Sequence, residues 1–370
     1  MGRLNDLEAQ GQAVWLDFID RKLLAEGGLK KLVDEDGITG VTSNPSIFEK
    51  AMGHGDAYDA ALAEFDQANP DASAMARYEH LAIQDIQTAA DTLRPVYDKL
   101  DAKDGYVSME VSPYLAQDTD GTAAEAERLW GAVDRPNLMI KIPGTPEGVP
   151  AIATSIDKGI NINVTLLFGI EAYKAVAMAF VAGLEKRAAR GEPIDKIASV
   201  ASFFVSRIDT KIDDAIDAGI GGDAAKALRG KVAIANAKLA YQWYLDFIKS
   251  DRWQALAAKG AMPQRLLWAS TGTKNPDYPD TLYLDTLIGK DTVNTVPPKT
   301  MDAFRDHGTA AETLTQDVDG ARHVLAETER LGLDLGAVTD NLVEEGVHSF
   351  AKAFDDLLGA IAAKHPAEAQ

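Results

Sequence analysis

The sequence predicts an α/β fold, a (β/α)8 TIM-type barrel with additional helices. Eight short segments of strand character alternate with helical stretches along 370 residues. Such alternation argues for a parallel sheet, and eight units argue for a closed barrel over an open doubly wound sheet. No Gly- or Ser-rich linker, composition break, internal repeat or low-complexity segment divides the chain. The first strand is not followed by GxGxxG, the fingerprint of the dinucleotide-binding alternative. One barrel domain over residues 1–370 is therefore expected. The length exceeds the roughly 250 residues typical of such barrels. The surplus falls in extra helices near 46–101, 207–259 and 309–363.

Residues 4–12 read as a short helix and 14–18 (VWLDF) as the first strand. The spacing of Leu23, Leu24, Leu29, Leu32 and Val33 marks 22–34 as helical. A second strand covers 38–43 (ITGVTS) and ends in Asn44-Pro45. Pro45 opens the next helix, where its missing N–H would have had no partner anyway. Residues 46–101 read as largely helical, with 78–100 the longest clear segment. The third strand is 106–112 (YVSMEVS), followed by a helix over about 122–132 with Thr122 as its expected cap. The fourth strand begins at Leu138, between Pro136 and the Pro143-Gly144 turn, and a short helix over 147–157 follows. Strands over 160–165 and 197–203 flank a helix over 171–190. Residues 207–259 read as two or three helices, 265–270 as the seventh strand and 292–296 as the eighth. Helices near 300–306, 310–332 and 339–363 finish the chain, and residues 365–370 are expected to fray.

Composition narrows the function. Hydrophobic residues make up 46% and charged residues 25%, a globular balance. The net charge of -20 disfavours nucleic-acid and anionic-membrane partners, and any anionic substrate must be bound by local donors against the overall field. With no cysteine, disulfides, thiolate catalysis and Cys-ligated zinc are excluded. The six histidines show no HExxH-like spacing, so no metal site is expected. Thr271-Gly272-Thr273-Lys274 lacks the glycine and helix context of a phosphate-binding P-loop. No apolar signal region or bilayer-length apolar run is present, so a cytoplasmic location and no membrane partner are expected.

The functional signal lies in the strands. Leu138, Ile140 and Ile142 share one face of the fourth strand, and Met139 and Lys141 share the other. Burying an ammonium costs several kcal/mol unless it is paired or gives up its proton. A lysine that gives up its proton is a nucleophile capable of Schiff-base chemistry. The strand pattern alone leaves both readings open, ion-pair partner and nucleophile. Other strands carry the same polar face. Asp17 opposes Val14, Leu16 and Phe18; Ser108, Glu110 and Ser112 oppose Val107, Met109 and Val111; Asn161, Asn163 and Thr165 oppose Ile160, Ile162 and Val164. The second strand ends in Ser43-Asn44, the sixth carries Ser202 with Arg207 just beyond, and Lys274 follows the seventh. A barrel core favours Val, Ile and Leu at such places, whereas active sites form at the C-terminal ends of the strands. The joint placement points to one polar pocket around Lys141.

These residues match a family. Gly40-Val41-Thr42-Ser43-Asn44-Pro45-Ser46, Met139-Ile140-Lys141-Ile142-Pro143, Ile162-Asn163-Val164-Thr165-Leu166-Leu167-Phe168 and Ala201-Ser202-Phe203-Phe204-Val205-Ser206-Arg207-Ile208 occur in its order. The chain resembles transaldolase, the class I Schiff-base family of the non-oxidative pentose phosphate pathway, in its longer bacterial form. The resemblance implies that Lys141 forms the Schiff base, that Asp17 is the acid/base residue, and that Glu110 and Thr165 hold a catalytic water. It implies that Asn44 and Asn163 bind substrate hydroxyls and that Ser202 and Arg207 make the sugar and phosphate contacts. Phe204 stands where transaldolases tend to carry Phe and the related fructose 6-phosphate aldolases Tyr. The departure is in the seventh unit. Well-known members place a second phosphate-binding arginine soon after an Ala-Ser pair. Here Ala269-Ser270 leads to Lys274 instead, at a different spacing.

The implied reaction moves a dihydroxyacetone unit from sedoheptulose 7-phosphate or fructose 6-phosphate to glyceraldehyde 3-phosphate or erythrose 4-phosphate. The partners implied are these sugar phosphates. No cofactor and no metal are implied, because the iminium serves as the electron sink. The resemblance leaves a homodimer open. The competing readings are an aldolase that releases the three-carbon unit and a non-catalytic barrel scaffold.

Overall fold

The computed structural model describes residues 2–364, so the expectation for 365–370 lies outside the described residues. Eight parallel strands form a closed barrel in chain order: β1 (Gln12–Leu16), β2 (Gly40–Val41), β3 (Tyr106–Glu110), β4 (Leu138–Pro143), β5 (Ile162–Leu167), β6 (Ser199–Phe204), β7 (Arg265–Ala269) and β8 (Thr292–Val296). β1 pairs with β8 to close it. The architecture is the expected (β/α)8 barrel with additional helices around it.

Register shows which face points inward. Partners across a parallel ladder share a face, and faces alternate along each strand. Glu110 pairs with Lys141, Lys141 with Asn163, and Asn163 with Val200. Trp15 pairs with Gly40, and Gly40 with Tyr106, two residues before Ser108. The polar face of each strand is therefore the barrel interior. The opposite face, with Val107, Met109, Ile140, Ile142, Ile162 and Val164 all buried, packs against the helices.

The N-terminal end of the interior is sealed by a polar cluster. Trp15 fills the barrel where Gly40 leaves room; a Cβ on Gly40 would lie 2.4 Å from the indole. Trp15 Nε1 donates to Asp104 Oδ1 at 2.9 Å, and Asp104 Oδ2 accepts from Thr39 Oγ1 at 2.9 Å and Arg265 Nη1 at 3.2 Å. Removing one partner of a buried pair leaves the other charge uncompensated. Asp104→Ala is thus expected to lower unfolding stability by about 3 kcal/mol. Urea denaturation checks it, and a midpoint matching that of the unaltered protein would refute the assignment.

Several element boundaries differ from the sequence expectation for local reasons. β2 is only Gly40–Val41, because Thr42 turns its hydroxyl to Asp17 and Asn44 caps the next helix, accepting from the Ile47 N–H at 3.0 Å. β5 runs to Leu167 and breaks register between Val164 and Leu167, with Leu166 at φ +59°. Side-chain alternation cannot reveal such a bulge. The helix near 122–132 begins earlier, as Thr119–Val133. Thr122 is not its cap: Asp118 accepts from the Gly121 N–H at 2.9 Å, and Thr122 Oγ1 donates to the Leu115 carbonyl at 2.8 Å. An Asp three residues ahead of an exposed N–H satisfies the orphan donor that Thr122, already inside the first turn, cannot reach.

Residues 46–101 divide into helices Pro45–Gly53, Asp59–Ala68 and Ala74–Lys99. The helix expected over 310–332 is Val318–Arg330, because Thr313 Oγ1 donates to the Asp285 carbonyl and Thr315 bonds Glu312, holding the preceding backbone as a loop. The last helix, Leu335–Ala363, packs on helix Pro45–Gly53 and crosses the C-terminal mouth of the barrel. There Gly346 lets it approach β5; a Cβ would lie 2.7 Å from Leu166 Cδ2. Among the described residues, no helix is long and apolar enough to cross a membrane.

Candidate active site

Lys141 lies on the inner face near the C-terminal end of β4 and is 4% exposed. Its Nζ donates to the Ser43 carbonyl at 2.9 Å and sits 3.3 Å from Glu110 Oε2. The ion pair and the nucleophile readings therefore share one geometry. Burial pushes the Glu110 carboxyl above its ordinary range, and Lys141 draws it back only in part. Asp17, one residue past β1, accepts from Thr42 Oγ1 at 2.7 Å, and Thr42 in turn meets Thr295 Oγ1 at 2.6 Å. Burial also raises the Asp17 carboxyl, against the opposing pull of the Thr42 hydrogen bond and the charges of Lys141, Lys274 and Arg207.

Above these groups lies a cavity of about 470 Å³. That is a volume suited to a small ligand. Asp17, Asn44, Lys141, Thr165, Ser202, Arg207 and Lys274 all line it. Seven of the nine expected site residues are brought together. The other two stand behind the wall. Asn163 is fully buried; its Nδ2 donates to Ser108 Oγ at 3.0 Å and its Oδ1 accepts from Ser202 Oγ at 2.6 Å. Glu110 lines a separate space of about 20 Å³ with Ser43, Asn44 and Tyr78. A volume near that size holds about one water. Glu110 Oε2, apart from its ion pair with Lys141, and Thr165 Oγ1 are buried polar atoms with no hydrogen bond. A second cavity of about 470 Å³ opens at the opposite, N-terminal end of the barrel, lined by Gln12, Asp104 and Arg265. Chemistry in this fold belongs at the C-terminal end, where the polar strand ends converge.

The mouth is cationic. Arg207 stacks on Phe204, its guanidinium carbon 5.3 Å from the ring centre. Among the described residues it is the arginine without a hydrogen bond; every other one donates to a protein acceptor. Lys274 and Lys50 also line the cavity, and neither makes a hydrogen bond or ion pair among the described residues. Desolvation lowers the Arg207 and Lys274 pKa values, and the charges of Arg207 and Lys50 add to the effect at Lys274. In a chain of net charge -20, three unpartnered cations around one cavity mark a site for an anion.

Sequence reasoning missed several groups of the site. Thr42 and the Ser43 carbonyl belong to the quoted motif; counting by two from Gly40 places Thr42 inside. Lys50, on an exposed helical turn, and Phe350, on the last helix, carry no local signal and reach the cavity through tertiary packing alone.

Barrel, buried lysine, flanking carboxyls and cationic mouth define an α/β-barrel protein with a lysine-centred site for a small anionic molecule. The family model described as Transaldolase/Fructose-6-phosphate aldolase matches residues 14–361. A transaldolase of Thiobacillus denitrificans is 51% identical over 98% of this chain and 100% of its own length. Transaldolases of Trichodesmium erythraeum, 47% identical over 98% of this chain and 97% of the relative, and of Thermobifida fusca, 49% identical over 97% of each, are similar over the same span. The chain belongs to the transaldolase/fructose-6-phosphate aldolase family.

Proposed function

We propose that this chain is a transaldolase, transferring a dihydroxyacetone unit between sugar phosphates through a Schiff base on Lys141. The observation that carries the reading is Lys141 Nζ, buried at the floor of a cavity with Asp17 on its wall and Glu110 at 3.3 Å. The amine adds to the C2 carbonyl of a ketose phosphate to give a carbinolamine. Glu110 and Thr165, through one water, move the protons that expel hydroxide as water and leave an iminium. Asp17 takes the C4 hydroxyl proton; the C3–C4 bond breaks and its electrons pass into the iminium. The aldose phosphate leaves, and a three-carbon enamine stays bound. The enamine then attacks an acceptor aldehyde, Asp17 returns its proton to the new hydroxyl, and hydrolysis frees the new ketose. The covalent intermediate divides one hard step into easier ones and predicts ping-pong kinetics.

In this reading Arg207, Lys274 and Ser202 hold the substrate phosphate and Asn44 orients its hydroxyls, while Asn163, expected from the resemblance to bind hydroxyls too, acts from behind the wall by holding Ser202. Substrates are sedoheptulose 7-phosphate or fructose 6-phosphate as donors, with erythrose 4-phosphate or glyceraldehyde 3-phosphate as acceptors, as in the non-oxidative pentose phosphate pathway. Phe204 on the cavity wall supports transfer over simple aldol cleavage, and Phe350 covers the opening from the last helix. Cytoplasmic placement and a homodimer belong to the same reading. So does a single domain, supported by one buried core that runs from Leu4 to Ile361.

The deciding assay supplies fructose 6-phosphate with and without erythrose 4-phosphate. Sedoheptulose 7-phosphate should accumulate with acceptor, and little free dihydroxyacetone without it. Steady release of dihydroxyacetone would turn the reading to an aldolase; no turnover of either kind would favour a scaffold.

Lys50 adds an expectation. Truncating a charged hydrogen-bond donor at a phosphate should cost roughly tenfold in KM. Lys50→Ala is accordingly expected to raise KM for fructose 6-phosphate with little change in kcat. An unchanged KM in steady-state kinetics would remove Lys50 from the site.

A further inference from the structure

Lys274 stands on the segment 270–281, which follows β7 and has no helix or strand of its own. A lysine on such a loop loses much conformational freedom when it binds an anion, unless the loop is already held. Here it is held at several points. The Ser206 N–H donates to the Ser270 carbonyl at 3.1 Å, and the two hydroxyls lie 3.0 Å apart. Thr271 Oγ1 donates to Asn294 Oδ1 at 2.9 Å, and Thr273 Oγ1 to the Pro279 carbonyl at 2.9 Å. Four residues beyond Lys274, the Tyr278 hydroxyl donates to Asp213 Oδ2 at 2.5 Å. The Tyr278 ring lies on Gly230, where a Cβ would come 3.0 Å from Cζ and where φ is +66°.

Asp213 lies on the helix Ser206–Asp217, whose second residue is Arg207. One turn earlier on that helix, Asp209 Oδ2 accepts from the Tyr283 hydroxyl at 2.8 Å, and its Oδ1 accepts from the Ala233 N–H at 2.8 Å. The helix that presents Arg207 to the cavity therefore also grips the chain on both sides of the residues leading from Lys274. Asp213 is 6% exposed, and its Oδ1 has no hydrogen bond. A carboxylate kept buried and half-satisfied is costly, and an apolar side chain would pack the position more cheaply. Among the described residues, its side chain hydrogen-bonds only to Tyr278 on the Lys274 loop.

We propose that Asp213 and Tyr278 are positioning residues for the anion site: their hydrogen bond holds the segment 271–281 to the helix Ser206–Asp217 and thereby sets Lys274 relative to Arg207. The proposal rests on the reading of Arg207 and Lys274 as the holders of the substrate phosphate. It accounts for how a lysine on a long loop serves where bidentate arginine geometry is absent. A point charge works there only if its backbone is kept in place.

The test is a double-mutant cycle. Tyr278→Phe removes the hydroxyl and keeps the ring on Gly230. It is expected to raise KM for fructose 6-phosphate by about 5- to 10-fold, the net worth of an ordinary intramolecular hydrogen bond. It should leave kcat, and the rate with unphosphorylated glyceraldehyde as acceptor at saturating fructose 6-phosphate, within about twofold. Asp213→Ala should do the same, and Asp213→Asn, which still accepts from the phenol, should restore most of the affinity. In a Lys274→Ala background, Tyr278→Phe should have almost no further effect. Calorimetric titration with inorganic phosphate reads the same site without turnover, and Tyr278→Phe should weaken that binding by a similar factor. An unchanged KM and phosphate affinity, a full additive effect on top of Lys274→Ala, an equal loss with unphosphorylated substrates, or an unaltered protein that binds no inorganic phosphate would each overturn the proposal. Phosphate binding that Tyr278→Phe weakens, without any sugar-phosphate turnover, would instead count against the transaldolase reading and support the positioning role of Asp213 and Tyr278.

Discussion

Lys141→Ala is expected to abolish transfer, with kcat reduced by at least about 10⁴-fold, because the covalent intermediate has no other anchor. The substitution removes the buried amine 3.3 Å from Glu110 Oε2 and the donor to the Ser43 carbonyl. Glu110 then stands buried without its counter-charge. Stability should fall as well, since a buried pair that loses one member is strongly destabilised. Two variants separate the effects. Lys141→Met fills the volume of the side chain, and Lys141→Met with Glu110→Gln also removes the stranded carboxylate. The second should recover thermal stability and remain inactive. Borohydride reduction in the presence of fructose 6-phosphate completes the test. The unaltered protein should carry a reduced three-carbon adduct on Lys141 by peptide mass mapping. An adduct on another lysine, or a folded Lys141→Ala protein with a tenth of the original transfer rate, would sink the assignment.

Asp17→Asn is expected to lower kcat by about 10²–10⁴-fold with KM nearly unchanged, the range for one well-placed proton transfer. An asparagine still accepts from Thr42 Oγ1, so the geometry survives while the proton acceptor is lost. The pH dependence has a definite sign. Burial raises the Asp17 carboxyl above its ordinary value, and in the proposed mechanism it must be ionised to take the C4 hydroxyl proton. The acid limb of the kcat/KM profile should therefore lie above the usual aspartate value of about 4. Stability moves the other way. As pH rises, the unfolded Asp17 ionises first while the folded one keeps its proton, so the folded state binds more protons and loses stability across that interval. A neutral Asn lacks this penalty, and Asp17→Asn should melt at a higher temperature than the unaltered protein at neutral pH. A lower melting temperature, or an acid limb at the ordinary aspartate value, would contradict the burial argument.

The barrel was legible because its strands are short, numerous and two-sided. Alternation placed Lys141, Glu110, Asn163 and Thr165 on one face without any knowledge of contacts, and the ladder pairs Glu110 with Lys141 and Lys141 with Asn163. Periodicity could not show the bulge at Leu166, which depends on one positive φ rather than on composition. It also misplaced the cap at Thr122, where Asp118 and Thr122 are both capping residue types and only hydrogen-bond geometry separates them.

By itself, then, the sequence determined the fold class and the inward polar face, because both follow from spacing along the chain. Tertiary structure alone decided the rest. It brought Lys50 and Phe350 to the cavity from distant helices. It left Arg207 without a hydrogen bond while the other described arginines found acceptors. It tied the Lys274 loop to Asp213 through Tyr278, 65 residues away in the chain. Such groups lack a sequence signature because they are helix or loop side chains outside the strand alternation, whose roles arise only from what packs against them. Lys141 stands between the two kinds of knowledge: its strand made it anomalous, and only the tertiary structure set a cavity beside it, lined by Asp17 and by cations without a hydrogen bond.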